Sequence, residues 1–115
     1  MQLFDLSTLL AERARNGRAW LEFLRAPSLS AGVYHLKAGQ PDPQQPHTED
    51  EVYYVVSGRA VFLAGEQRAS VGPGSVIFVG RAAVHRFEDV TEDLTVLVLF
   101  APAEGSLAGA ATSGA

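Results

Sequence analysis

The spacing of apolar residues changes once along the chain, close to Gly17. Before that point charged residues lie opposite one apolar helix face, formed by Leu6, Leu9, Leu10 and Ala14. This pattern predicts a single short helix that packs its apolar side on a core. Asn and Gly are residues with which helices commonly end, so Asn16-Gly17 marks its end. We therefore assign residues 1–17 to an N-terminal helical segment.

Beyond Gly17 the chain consists of short apolar runs, such as VYYVV, AVFLA, SVIFV and LTVLVLF, separated by glycine-rich turns. Many short strands at regular spacing indicate a β-sandwich or barrel. No helical pattern alternates with these runs, which argues against a parallel βαβ sheet. We assign residues 18–101 to one all-β barrel domain. Residues 102–115, which are rich in Ala, Gly and Ser, are predicted to be a flexible tail.

Composition excludes several classes of function. A chain of 115 residues forms one domain. A net charge of −4 with a single lysine argues against nucleic-acid binding. The absence of cysteine excludes disulfides, thiolate metal sites and cysteine nucleophiles. The N-terminus lacks the features of a secretory signal, and the longest apolar run, 96–101, is too short to cross a bilayer. We expect a cytoplasmic protein without membrane partners.

His47 and Glu51 lie four residues apart, directly before an apolar strand. On one straight strand they would be roughly 13 Å apart, too far to share a ligand. The preceding prolines and the following VYYVV run favour extended chain over helix. A reversal over residues 48–50 would instead let His47 close one strand and Glu51 open the next. Alternation then places Tyr53 on the same face as the Glu51 carboxylate.

Imidazole and carboxylate are good ligands for divalent ions of intermediate hardness, and a buried carboxylate is costly unless it is paired or metal-bound. A plain His47–Glu51 hydrogen bond at the surface is the alternative. A third candidate, His85, also begins a strand after a tight turn, with Phe87 on its face. Two histidines and one carboxylate can occupy one face of an octahedron and leave other positions open.

Both stretches resemble the sequence motifs of the cupin family. HTEDEVYYVVSG is similar to the first motif, in which two histidines one residue apart precede a glutamate, six residues and a glycine. His47, Glu51 and Gly58 fit the second histidine, the glutamate and the glycine. GSVIFVGRAAVHRFED is similar to the second motif, and Gly74 and His85 fit its glycine and histidine. The resemblance implies a double-stranded β-helix, or jelly-roll barrel, preceded here by one short helix.

The chain departs from the family pattern at four positions. Three departures concern structural residues of the second motif, namely Gly80, Ala82 and Asp89. The fourth replaces the first histidine of the first motif by Gln45. An amide oxygen is a weaker ligand than imidazole, so Gln45 is either a fourth ligand or a donor to a bound water. A degenerate, often empty site is the further alternative.

The resemblance implies a mononuclear Fe, Mn, Ni or Zn ion and a small-molecule ligand. Around the ligands we expect a pocket lined by Tyr53, Tyr34, Phe87 and Phe62. His35 is expected to face outward and Glu49 to be solvated in the turn. Both faces of LTVLVLFA are apolar, which predicts a homodimer.

The family includes oxygenases, isomerases and non-catalytic binders, so the fold does not decide whether the protein is an enzyme. A metal-dependent oxygenase acting on an oxygen-rich small molecule is the preferred hypothesis, because two histidines and one carboxylate are the ligand set of iron(II) oxygenases. Catalytic residues beyond the ligands are not identified. The alternatives are a non-catalytic small-molecule or metal-binding module and a metal-free structural subunit.

Overall fold

The computed structural model describes residues 1–107. Helix α1 is followed by six strands, β1 to β6 in chain order: α1 Leu6–Asn16, β1 Trp20–Ala26, β2 Leu29–Leu36, β3 Asp50–Ala64, β4 Gln67–Val71, β5 Val76–Val79 and β6 His85–Ala101. All strand pairs are antiparallel. The predicted all-β jelly roll with one short N-terminal helix is confirmed.

Two long strands, β3 and β6, hold the barrel together. The hydrogen-bonded order is β1-β2-β6-β3-β4, and β5 pairs with β3 outside this path. The first half of β3 pairs with β5 and with the end of β6, whereas its second half pairs with β4 and with the start of β6. Each long strand therefore contributes to both layers of the barrel.

The two long strands bend where Gly58 meets Asp93. The register between β3 and β6 shifts three times between Val55 and Val61. Gly58 has φ 93°, and a Cβ at this position would collide with the backbone oxygen of Asp93. Only glycine fits both the left-handed backbone and the close approach of the neighbouring strand. This explains physically why a glycine follows the VYYVVS run.

Alternation along the strands places one face inside the barrel. In β3, Glu51, Tyr53 and Val55 are buried, while the residues between them are half-buried or exposed. Tyr53 and Val55 join a core that also contains the large side chains Leu36, Phe62, Phe87, Leu94 and Phe100. The carboxylate of Glu51 therefore lies at the end of an apolar interior.

Helix α1 contacts β1 and β2 through its apolar side, where Leu9 is buried. It ends at Asn16, and the following Gly17 has φ 75° and donates its N–H to Arg13 O, as glycine after a helix end commonly does. Phe23 of β1 packs against Phe4 with a ring-centroid distance of 4.9 Å. Within residues 1–107, no helix combines the length and apolar character that a bilayer span requires.

Residues 102–107 form a turn, here named the C-terminal strap, in the first part of the segment predicted to be a flexible tail. Its backbone is held by β1, β2 and the loop before β3. Glu104 N donates to Ser30 Oγ at 2.8 Å, and Arg25 Nη2 donates to Glu104 O at 2.6 Å. Ala103 N donates to Pro27 O at 3.4 Å. The rest of the predicted tail, 108–115, lies outside the described residues.

Candidate metal centre

An irregular loop and a turn bring the two candidate histidines together. Residues 37–49 contain no strand, so the prediction that His47 closes one was wrong. Three prolines in this loop lack the N–H that a strand ladder needs. His47 is held instead by Ala82 N, which donates to His47 O at 2.7 Å. Because Ala82 lies three residues before His85, this bond places both histidines at one end of the barrel.

His47, Glu51 and His85 form a cluster whose candidate ligand atoms all lie within 4.8 Å of one another. His47 Nδ1 lies 3.0 Å from Glu51 Oε1, and His85 Nε2 lies 3.1 Å from the same oxygen. Glu51 and His85 are buried, and His47 is half-buried at the edge. The structure therefore brings together the three residues that the sequence selected.

The cluster leaves polar atoms without partners, which tests whether a metal would fit. Glu51 Oε2 and His47 Nδ1 are buried, and neither has a hydrogen-bond partner among the described residues. Although His47 Nδ1 is close to Glu51 Oε1, the ring is not oriented for a hydrogen bond to it. Buried polar atoms without partners are rare and costly. Two imidazoles and a carboxylate that converge, with one nitrogen and one oxygen left without partners, suit a divalent ion.

His85 is oriented for ligation by its other ring nitrogen. Its Nδ1 lies 2.8 Å from Ala83 O, and because a carbonyl only accepts, Nδ1 carries a proton. The lone pair of the neutral ring is therefore on Nε2, which faces Glu51. A backbone carbonyl that fixes the tautomer of a histidine in this way is typical of metal ligands.

A chain of partly buried hydrogen bonds behind the cluster fixes Tyr53. Asp42 accepts from Tyr34 Oη at 2.7 Å and from Gln44 Nε2 at 2.7 Å. The amide oxygen of Gln44 is thereby turned toward Tyr53, whose hydroxyl donates to it at 2.8 Å. Tyr53 Oη also lies 3.0 Å from His85 Nε2. Burial and the nearby Glu51 carboxylate raise the pKa of Tyr53, so this hydroxyl keeps its proton.

A cavity of about 240 Å³ opens beside the cluster. Among its lining residues are His47, Tyr53, Trp20, Phe100 and Glu104. The other lining residues are Tyr34, Gln44, Gln45, Pro46 and Val98.

Two further residues expected in the pocket lie behind it. Phe87 and Phe62 are buried in the core, with ring centroids 5.3 and 5.5 Å from that of Tyr53, and neither lines the cavity. Each residue starts from a strand face that points inward, and the Phe62 ring packs behind His85 at a centroid distance of 5.9 Å, away from the cavity. Alternation along a strand predicts the inward face and not the depth at which a side chain ends.

The positions of Gln45 and Glu49 in the structure differ from those that were predicted from the sequence. Gln45 is exposed on the cavity wall, whereas half-buried Gln44 supplies the amide that contacts Tyr53. Glu49 was expected to be solvated, and this was wrong because Gly105 N and Leu107 N donate to its buried carboxylate at 2.8 and 2.9 Å. His35 is half-buried, with Nδ1 3.2 Å from Thr95 Oγ1, away from the cluster.

Opposite charges within the cluster shift the pKa values of its members. Burial would raise the pKa of Glu51, but the imidazoles of His47 and His85 and the Tyr53 hydroxyl outweigh it and lower this pKa to about 2. Burial would lower the pKa of His47, but the carboxylates of Glu104 and Glu51 raise it to about 10. The pKa of His85 is raised in the same way, against burial, chiefly by Glu51. In the metal-free protein, His47 is therefore protonated, and its positive charge faces the carboxylates of Glu51 and Glu104.

Comparison with known proteins identifies the fold family. The family model of the cupin domain matches residues 32–101, which include the three cluster residues. The chain belongs to the cupin family. This small single-domain cupin is 49% identical over 104 residues to an uncharacterised protein of Streptomyces coelicolor, covering 90% of this chain and 99% of that relative.

Two solved structures illustrate the range of similar proteins. The DMSP lyase DddQ from Ruegeria pomeroyi is 30% identical with a TM-score of 0.62, over 66% of this cupin and 39% of that chain. A double-stranded β-helix protein from Klebsiella pneumoniae is 19% identical with a TM-score of 0.72, over 89% of this cupin and 90% of that chain. The second likeness shows the fold alone.

Proposed function

We propose that this cupin binds one divalent metal ion through His47, Glu51 and His85, and an oxygen-rich small molecule in the adjoining cavity. The observation that carries the proposal is the pair of buried, partnerless atoms, Glu51 Oε2 and His47 Nδ1. A protein rarely tolerates such atoms at the centre of a converging donor set unless a ligand satisfies them.

The donor set narrows the metal to Fe, Mn, Ni or Zn, since imidazole with one carboxylate suits ions of intermediate hardness. A bound ion of this kind would supply a Lewis-acidic or redox centre with open positions for an oxygen-rich ligand. Gln45 stays a proposed fourth donor, since it lines the same cavity as His47. Among the reactions open to such a centre, oxygenase-like chemistry is our preferred proposal.

The cavity residues define what can bind there. Trp20 and Phe100 give the cavity an apolar wall, with ring centroids 6.1 Å apart. Gln44 and His47 also line the cavity and carry polar groups, and the centroid of the His47 ring lies 4.8 Å from that of Phe100. A volume of about 240 Å³ is below the usual range for drug-sized ligands, which favours a compact molecule. The likeness to a DMSP lyase supports a catalytic role.

A non-catalytic binding module is the second candidate, and one observation favours it. The Tyr53 hydroxyl already donates to Gln44, which is itself oriented by Asp42. Tyr53 is thus unsuited to donate a proton to a substrate, and it acts as a fixed wall of the cavity. Turnover assays against carbonyl and phenolic compounds distinguish the two candidates, because a binding module would retain metal and ligand without turnover.

We also propose that two copies associate through the outer face of β3 and β5. Val76 pairs with Tyr54 and Phe78 with Val52 across these strands. Val76 and Phe78 are each 68% exposed and lie on one outer face, which continues onto half-buried Leu97 and Leu99 of β6. Contiguous exposed apolar surface of this kind marks an interface. Light scattering should give twice 12.3 kDa, and Phe78→Glu should give the monomer mass.

Elemental analysis of the purified protein tests the metal proposal. We expect about one Fe, Mn, Ni or Zn ion per chain, in line with a single cluster of this kind among the described residues. His85→Ala should remove it, whereas His35→Ala, the matched histidine control away from the cluster, should retain it. Equal metal content in the two variants would refute the proposed centre.

A further inference from the structure

We infer that Glu104, carried by the C-terminal strap, is a positioning residue of the metal centre that fixes the tautomer and ring orientation of His47. This inference rests on the proposed metal function. It assigns a role to a residue that lies 53 positions beyond Glu51 in the chain, in a stretch with no recognisable motif.

The contact that carries the inference joins the two side chains directly. Glu104 Oε2 lies 3.0 Å from His47 Nε2, so its carboxylate is placed to accept a proton from that nitrogen. The lone pair of a neutral His47 then falls on Nδ1, the atom that lies beside Glu51 without a hydrogen-bond partner. Glu104 therefore selects which nitrogen of His47 faces the ligand cluster.

Glu104 itself is positioned by its backbone. Ser30 Oγ accepts its N–H, and Arg25 Nη2 donates to its carbonyl oxygen. Glu49 holds the following residues of the strap through Gly105 N and Leu107 N. Because the neighbouring backbone is fixed on both sides, the Glu104 side chain extends toward His47 from a defined point.

The two histidines are thus oriented in opposite senses. His85 carries its proton on Nδ1, held by Ala83 O, and presents Nε2 to the cluster. A neutral His47 would carry its proton on Nε2, beside Glu104, and present Nδ1. The carboxylate of Glu104 acts on the metal only through the ring of His47, because Glu104 is not a member of the group whose ligand atoms lie within 4.8 Å of one another.

Zinc binding to the full chain tests the inference by two readouts. Outer carboxylate partners of metal-bound histidines commonly contribute about 10- to 100-fold in metal affinity, so Glu104→Ala should weaken zinc binding by about that factor. Glu104→Gln keeps an oxygen that can accept from Nε2 and should recover most of the affinity. Glu92→Ala, an exposed control whose carboxylate pairs with Arg59 at 3.7 Å, should bind zinc as the unaltered chain does.

Ring ¹⁵N NMR of the zinc-loaded protein reads the tautomers directly. The chain has three histidines, so His35 serves as an internal reference. We expect an Nε2–H ring for His47 and an Nδ1–H ring for His85. Glu104→Ala should change the His47 signals and leave those of His85 in place. The backbone bonds of the strap do not involve the Glu104 side chain, so this variant should keep the fold.

The outcomes separate this inference from the metal proposal. Zinc binding by the unaltered chain together with undiminished affinity in Glu104→Ala would overturn the role of Glu104 and leave the metal centre intact. An Nδ1–H ring for His47 in the unaltered chain would also overturn it. If the unaltered chain binds no zinc or other divalent ion, the metal centre itself is refuted, and the inference is refuted with it.

Discussion

Glu49 and Glu51 are two residues apart and equally buried, with 1% of each exposed, yet their surroundings differ. Glu49 accepts hydrogen bonds from the Thr48 hydroxyl and from two backbone N–H groups of the C-terminal strap. Glu51 has one oxygen close to two imidazoles and another with no hydrogen-bond partner. The chain itself satisfies one carboxylate and leaves the other incompletely satisfied. Burial alone therefore does not indicate a functional carboxylate, whereas an unsatisfied acceptor does.

Removing the charge of Glu51 should have the largest effect. Glu51→Gln replaces a strong anionic ligand by a weak amide, and we expect metal content after dialysis against a chelator to fall close to zero. The same substitution at Glu49 is the matched control, and it should retain most of the metal. If metal content fell equally in both variants, Glu51 would have no greater role in metal binding than Glu49.

Glu49→Gln should instead lower stability. Its amide group would face backbone N–H groups of Gly105 and Leu107, of which at most one keeps an acceptor. An unsatisfied buried donor costs about 1–3 kcal/mol, so we expect the free energy of unfolding in urea to fall by about that amount. Any loss of zinc affinity should be no larger than that of Glu104→Ala, since Ser30 and Arg25 still hold the strap. An unchanged unfolding midpoint would mean that the bonds from Gly105 and Leu107 to Glu49 add nothing to stability.

The metal-free protein should lose stability at both ends of the pH range. The pKa of His47 is raised from 6.5 to about 10, so its contribution is complete below pH 6.5 and is lost as pH rises through about 10. The pKa of Glu51 is lowered from 4.5 to about 2, so its contribution is present above pH 4.5 and is lost as pH falls toward 2.

Metal affinity should change in the opposite direction over the upper part of that range. His47 must lose its proton to become a ligand, so zinc binding should strengthen as pH rises from 6.5 toward 10 while the metal-free chain becomes less stable. Thermal unfolding with and without zinc, measured at several pH values, checks both trends. A zinc affinity independent of pH over this interval would show that His47 is not a ligand.

Substitutions of Gln45 should change metal retention the least. Gln45→His would restore the nitrogen ligand of the cupin motif, and we expect somewhat tighter metal retention if the imidazole reaches the cluster. Gln45→Ala should cost less affinity than His47→Ala, because an amide is the weaker ligand. Metal retention in Gln44→Ala is the informative comparison, since Gln44 accepts the hydrogen bond from the Tyr53 hydroxyl. Unchanged metal retention in Gln45→His would show that Gln45 does not reach the site.

The sequence predicted the fold and the three cluster residues because these depend on local patterns. Strand alternation placed Glu51 inward, and the rarity of buried carboxylates made its histidine neighbours informative. Gln44 and Glu104 were missed for two different reasons. Gln44 lies in an irregular loop, where alternation does not indicate direction. Glu104 lies in an Ala- and Gly-rich stretch, and its meeting with His47 depends on how the whole chain closes.

Because β3 and β6 run through both layers, opening one layer would disturb strands that also pair in the other. A barrel of two independent sheets could lose one half and keep the other, but here the two halves share both long strands. We therefore expect unfolding as a single cooperative unit, with amide hydrogens of β3 and β6 exchanging at similar, slow rates along their length. Most of the pairing joins residues distant in sequence, which also favours slow folding.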